Sequence, residues 1–186
     1  MNAVPVRKLT AAEYLALDRE AEHKSEFHDG EIFPVVAASW EHSQIVIQMG
    51  WRLAERLAGT PCRAGSAVRV RVTPTKYVYP DIAVICGKAA LTDETRDTLT
   101  NPKVIVEVLS PSTEDYDRGG KFVLYRGLPS FEEYVLVAQD APRIEVFHRT
   151  PEGNWLLRIF DGLDAEVRLE SLGISIPLSE IYSGIL

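Results

Sequence analysis

Long apolar runs are missing from this 186-residue chain. None approaches the roughly 20 residues that a helix needs to cross a bilayer, and residues 1–10 hold no apolar stretch of the kind found in secretory signals. A soluble cytoplasmic protein is therefore expected, with no membrane partner. Cysteine is scarce, with only Cys62 and Cys86. Neither belongs to a CxxC pair or has a histidine at metal-ligand spacing, which argues against zinc. Two buried free thiols are expected in preference to a disulfide between them. Positive charge is also in short supply: 20 Lys and Arg face 27 Asp and Glu, for a net charge of −7. Such a balance speaks against a large nonspecific nucleic-acid surface. It leaves room for a phosphate site whose positive charge is local or comes from a metal ion. Repeats, low-complexity tracts and flexible linkers are absent too, and the length suits one domain over residues 1–186.

What is present reads as alternating helix and strand signals. Thr10 and Glu13 have the spacing of a capping box, which predicts a short helix to about Leu17. Residues 24–28 and 31–37 flank Asp29-Gly30, a pair suited to a type I′ turn, and form a predicted N-terminal β-hairpin. Ser39 can cap a longer helix in which Ile45, Met49, Leu53 and Leu57 share a face, and Gly59 stops it. Residues 67–72 alternate valine with Arg69 and Arg71, predicting a strand with one basic face. Residues 81–86 and 103–109 are short and rich in Val and Ile, as interior strands are. The connection 87–102 is polar, with room for some helix. A helical stretch should follow Pro111 to about Tyr125, weakened by Gly119-Gly120. Strands at 135–138, 143–148 and 155–160, another near Val167 and a short helix at 179–182 complete the chain. The order predicts an α/β (α+β) domain with a mixed central β-sheet flanked by helices.

Glu107 carries the most information. Val104, Ile105, Val106, Val108 and Leu109 surround it in an apolar strand, where an ionised carboxylate costs several kcal/mol unless a cation or strong donors meet it. Asp81 follows Pro80 at the head of another apolar strand. On neighbouring strands these residues would make a two-carboxylate pocket, and a hard divalent cation is the usual resolution of their repulsion. Lys121 lies on the helix after the Glu107 strand, long enough to fold back over the strand end. The bland alternatives are a structural salt bridge for the acids and a solvated surface for the lysine.

The strings Tyr79-Pro80-Asp81-Ile82-Ala83-Val84, Val106-Glu107-Val108-Leu109-Ser110-Pro111-Ser112-Thr113, Asp117-Arg118-Gly119-Gly120-Lys121 and Tyr125-Arg126-Gly127 resemble the Uma-type family of restriction endonucleases within the PD-(D/E)XK superfamily. The likeness runs from the 26–30 hairpin through His42 nearly to the C-terminus. It implies a restriction-endonuclease-like mixed sheet with metal-dependent phosphodiester chemistry at one end. Asp81 then matches the motif aspartate and Glu107 the motif acid. The lysine usually two residues after that acid is replaced by Leu109, and Lys121 takes its part from the helix. Val135 and Ala138 stand where the family often has tryptophan and aspartate.

On this reading Asp81, Glu107 and the Val108 carbonyl hold Mg²⁺ or Mn²⁺, and Lys121 adds positive charge at the scissile phosphate. Glu26 matches a recurrent acidic position and would complete the site or bind a second metal. His42, in the first turn of its helix, could touch phosphate or carry a proton. Arg69, Arg71, Lys76, Lys103, Arg118 and Arg126 could form a basic border for a polyanion, or could simply neutralise surface acids. Asp115 and Asp117 could pair with Arg118 and Lys121, and Tyr116 and Tyr125 read as core or rim aromatics. The implied partner is nucleic acid, DNA first, and the implied assembly is a homodimer or higher homo-oligomer. Two other classes compete with a nuclease: a nucleic-acid-binding module without catalysis, and an assembly protein whose acids form internal salt bridges.

Overall fold

The computed structural model describes residues 7–92 and 94–186. Of the ten N-terminal residues read for a signal, residues 1–6 lie outside the described part. No helix among the described residues is long and apolar enough to cross a membrane.

Helix α1 (Ala11–Glu20) starts where the capping box puts it: the Thr10 side chain accepts from Glu13 N, and the Glu13 side chain accepts from Thr10 N. Strands β1 (Ser25–His28) and β2 (Glu31–Pro34) form the hairpin. Its turn residues Asp29 and Gly30 have φ of 50° and 101°, both positive as a type I′ turn requires. Helix α2 (Trp40–Arg56) is capped by Ser39, which accepts from His42 N, and buries Ile45, Met49 and Leu53 on one face. Five strands follow: β3 (Cys62–Ser66), β4 (Arg69–Thr73), β5 (Lys76–Val78), β6 (Ile82–Cys86) and the two-residue β7 (Thr98–Leu99). After β8 (Val104–Val108) come α3 (Glu114–Tyr116), a π turn over Asp117–Lys121, and α4 (Phe122–Tyr125). The chain ends with β9 (Glu133–Val137), β10 (Arg143–Arg149), β11 (Trp155–Asp161), β12 (Glu166–Leu169), β13 (Ile174–Pro177) and α5 (Leu178–Ile181).

Six strands make the central sheet in the order β11-β10-β9-β8-β6-β3. Its β8–β9 pair is parallel and the other neighbours run antiparallel, so the sheet is mixed. A second sheet, β2-β1-β5-β4-β7, carries the N-terminal hairpin. Alternation along β8 assigns its side chains to opposite layers. Val104, Val106 and Val108 join Ile45, Met49, Leu53 and the C-terminal residues Ile176 and Tyr182. Ile105 joins Val70, Val78, Tyr125, Phe131 and Tyr134 on the other face. All five residues of β8 are buried, as expected for a strand covered on both sides. Glu107 shares the Ile105 face and therefore points toward Tyr125 and the π turn, away from α2.

Several expectations need correction. Cys62 and Cys86 are joined in a disulfide, and no described cysteine is free. The antiparallel β3–β6 register sets the two residues directly opposite each other, and a register of this kind cannot be read from the residues alone. On the basic face expected for β4, Arg71 is half-buried and Arg69 is buried, paired with Asp18 of α1. Among the described residues 87–102 there is no helix; Leu91 bridges Leu99 instead. The helix expected up to Tyr125 is broken into two short pieces by the π turn. Strands β3, β5, β7 and β13 were not anticipated.

Candidate active site

The site forms where β6 begins and β8 ends. Pairing between these strands stops at Ile82 and Val106, so the next residues, Asp81 and Glu107, complete the edge with side chains. Asp81 Oδ2 accepts from Val108 N at 2.7 Å, and Glu107 Oε2 accepts from Asp81 N at 3.3 Å. Each acid thus satisfies the backbone next to the other, which locks the two together.

Glu107 is 2% exposed. Its Oε1 accepts from Tyr125 OH at 3.0 Å and lies 3.1 Å from Lys121 Nζ. The ammonium also meets Asp117 Oδ1 at 3.2 Å and Glu26 Oε1 at 3.6 Å. Asp117 and Lys121 open and close the π turn, a helix irregularity frequent at functional sites. Gly120 in that turn is required by close approach: a Cβ there would fall 2.6 Å from the Tyr116 ring. The ring lies across this glycine and donates its hydroxyl to Glu26 Oε2 at 3.0 Å.

Glu26 comes from β1 and is also buried. Its Oε1 accepts from Tyr79 N at 3.0 Å, and His28 Nε2 lies 3.4 Å from Oε2. His42, projecting from the first turn of α2, brings Nε2 to 3.3 Å from Asp81 Oδ2.

Charge in the cluster is unbalanced. Burial drives the Glu107 carboxyl far above the usual range; Lys121 works against this, while Asp81, Asp117 and Glu26 add to it. Burial raises Asp117 as well, more than Lys121 can offset. Burial disfavours the Lys121 cation, yet Glu107, Glu26, Asp117 and Asp81 together hold its pKa well above the ordinary value. Glu26 is lowered in spite of burial, through His28, Lys121, the Tyr79 backbone and Tyr116. For His42, desolvation is outweighed by Asp81, aided by the Val108 backbone, and its pKa is raised. The net picture is an excess of buried carboxyl groups, with Glu107 and Asp117 pushed toward their neutral forms, around one firmly charged lysine.

A cavity of about 710 Å³ opens onto this cluster. Glu26, His42, Asp81, Glu107, Val108 and Lys121, the residues singled out from the sequence, all line it. Residues 33–39 and 110–113 contribute its walls, and Lys121 is the only lysine or arginine in its lining among the described residues.

Of the expected basic border, Arg71 lies outside the cavity lining and five other residues are engaged elsewhere. Arg69 pairs with Asp18 at 2.7 Å and Asp97 at 2.8 Å; Arg118 pairs with Glu114 at 2.7 Å and Glu145 at 2.8 Å. Lys103 meets Glu132, Lys76 meets Asp29, and Arg126 lies over the Phe122 ring. Conversely, His28 was not singled out, and Asp117 was read only as a pairing partner. The four-residue spacing of Asp117, Lys121 and Tyr125 was the available signal, since it places all three on one helical face.

The donor set suits a hard cation. Two carboxyl groups and the Val108 carbonyl offer oxygen ligands of the kind Mg²⁺ and Mn²⁺ prefer, and added positive charge would favour the ionised form of the raised Glu107 carboxyl. Among the described residues no group of three His, Cys, Asp or Glu side chains converges in ligand geometry; this donor set requires only two.

Comparison with known proteins agrees with this architecture. A crystal structure titled as a putative nuclease belonging to DUF820, from Anabaena variabilis, superimposes with a TM-score of 0.78 over 96% of this chain and 99% of its own, at 20% identity. Two proteins of Synechocystis sp., "Uncharacterized protein slr1290" and "Uncharacterized protein sll1609", are each 34% identical to this chain. The first alignment covers 98% of this chain and 96% of the relative, the second 94% and 99%. The sequence pattern of the Uma2 family, described as "Putative restriction endonuclease", matches residues 11–179. Matched over residues 11–179, the chain belongs to the Uma2 family.

Proposed function

We propose that this chain is a divalent-metal-dependent nuclease that hydrolyses phosphodiester bonds in DNA, acting as a single cytoplasmic domain in a homodimer or higher homo-oligomer. One observation carries the reading: Glu107, Asp117 and Glu26 crowd around Lys121, with Asp81 beside them, at the floor of an open cavity. Buried acids in such excess cost stability and are found where a site needs them.

Asp81, Glu107 and the Val108 carbonyl are assigned to hold Mg²⁺ or Mn²⁺. When bound, the ion supplies Lewis-acid charge at a phosphoryl oxygen. Lys121, kept cationic by its carboxylates, offers a fixed positive charge to the phosphate as negative charge builds in the transition state. Glu26 and Asp117 position that lysine. His42 orients Asp81 through its 3.3 Å contact and, with its raised pKa, can hold a proton close to the reacting phosphate.

A second reading, a nucleic-acid-binding module without hydrolysis, is favoured by a lining with a single lysine among the described residues and by Ala138 in place of a polar residue. Incubating supercoiled plasmid and single-stranded DNA with Mg²⁺ or Mn²⁺ separates the two. Wild type should cut, and Glu107→Gln should lose more than about 100-fold, beyond the 10–100-fold typical of losing an outer-shell partner. Equal cutting by the variant removes the assignment of Glu107. Metal-independent binding with no cutting favours the binding module.

A further inference from the structure

We infer that the cavity admits an unpaired nucleic-acid strand in preference to a duplex, its bases lying against the apolar wall formed by residues 33–38; this inference rests on the nuclease reading above. The wall is Phe33-Pro34-Val35-Val36-Ala37-Ala38, running from the edge strand β2 toward the cap of α2. It is freely accessible: Phe33 is 46% and Val36 60% exposed. Three rings lead from it toward the acids. Phe33 packs edge-on to His28 with centroids 5.4 Å apart, and His28 to Tyr116 at 6.2 Å. All three line the cavity.

This chemistry is wrong for a duplex. Double-stranded DNA turns its phosphates outward, about one charge per 1.7 Å of axis, and is held by lysines and arginines along its path. Among the described residues the lining has only Lys121, already shared among three acids, so neither form gains much from charge, and a duplex, with its base faces stacked inside, has little to offer the apolar wall. An unpaired strand exposes base faces instead, and these gain by stacking on rings and covering apolar surface. The volume, about 710 Å³, falls within the roughly 300–1,000 Å³ of sites that enclose a small organic molecule. A nucleotide can therefore enter while its neighbours follow the wall.

The test compares binding of a fluorescein-labelled strand of about 16 nucleotides, the upper end of a single-strand site size, with binding of the same sequence annealed into a blunt duplex. Anisotropy is read in Ca²⁺ for wild type, Phe33→Ser and Val36→Ser. Both substitutions are at exposed positions, and circular dichroism checks that the variants are folded. The single strand should bind wild type at least about ten-fold more tightly than the duplex. Phe33→Ser should weaken it by about 5- to 150-fold, the loss of one base stacked on an aromatic, with duplex binding unchanged. Equal affinity for duplex, or wild-type affinity for the single strand in both variants, overturns the inference. So does sedimentation showing that wild type is a dimer which Phe33→Ser dissociates, because a second copy would then cover the wall. A retained single-strand preference in a protein that cuts no DNA would leave this inference standing and remove the nuclease reading.

Discussion

Arg69 and Lys121 are both buried cations, 2% and 8% exposed, and their surroundings differ in a way that separates structure from site. Arg69 meets Asp18 and Asp97, and its Nε donates to Thr98 Oγ1 at 2.9 Å. Asp18 also accepts from Ser25 N at 2.8 Å and from Tyr79 OH at 2.6 Å. This network ties α1 to the second sheet with its polar groups satisfied. Lys121 instead sits among three carboxylates with a fourth acid close by, and a cavity reaches it. Burial of charge alone therefore does not mark a functional site. Surplus of one sign, together with access from solvent, is what the proposed site adds. Tyr79 joins the two clusters: its hydroxyl belongs to the Arg69 network, while its backbone N and carbonyl meet Glu26 and Lys121.

The contrast can be broken or sharpened by substitution. The largest effect is expected from Lys121→Met. DNA cleavage should fall by about 10²–10³-fold, as when a donor to transition-state charge is removed, and chemical denaturation should show a loss of about 3–5 kcal/mol from the uncompensated acids. Arg69→Met should cost a similar 3–5 kcal/mol while leaving cleavage per folded molecule unchanged. Loss of cleavage in the folded variant would erase the distinction between the clusters.

Glu133 offers a third case, a fully buried acid outside both clusters. It is held by Ser171, the Glu170 backbone and His148, and burial raises its pKa above the ordinary 4.5. A carboxyl raised on folding contributes stability that is complete below its unfolded value and is lost as pH climbs through the folded value. The wild-type melting temperature relative to Glu133→Gln should therefore decline as pH rises from below 4.5 toward neutrality. A difference that stays flat or grows would show that its hydrogen bonds outweigh burial. The smallest change is expected from Tyr79→Phe: about 1 kcal/mol less stable through the lost hydrogen bond, with cleavage intact because the backbone contacts to the site persist.

Much of this was legible in the sequence where a local signal coincided with a tertiary need. Glu107 announced itself as an acid inside an apolar strand, Asp29-Gly30 fixed the hairpin, and Ile45, Met49 and Leu53 marked the inner face of α2. Other features depend on partners distant in the chain. The Val-Arg alternation gave β4 a basic face, but that Asp18 of α1 and Asp97 meet Arg69 there depends on the tertiary fold. The disulfide follows from β3–β6 register, and β3 itself, Cys-Arg-Ala-Gly-Ser, carries little strand signal. The π turn was hidden behind Gly119-Gly120, read as helix weakness; Gly120 is there because the Tyr116 ring lies against it. Asp117 looked like an ordinary surface partner of Lys121 until the turn buried both.

The central claim is that the surplus acids at Asp81 and Glu107 exist to take a divalent cation. It is tested most directly by titrating Mn²⁺ into wild type, Asp81→Asn and Glu107→Gln, with free ion counted by electron paramagnetic resonance. The account predicts saturable binding to wild type and at least about ten-fold weaker binding to either variant, the low end of what losing even a supporting partner costs. Absence of binding to wild type, or the same affinity in all three proteins, would contradict it and return the cluster to a structural role.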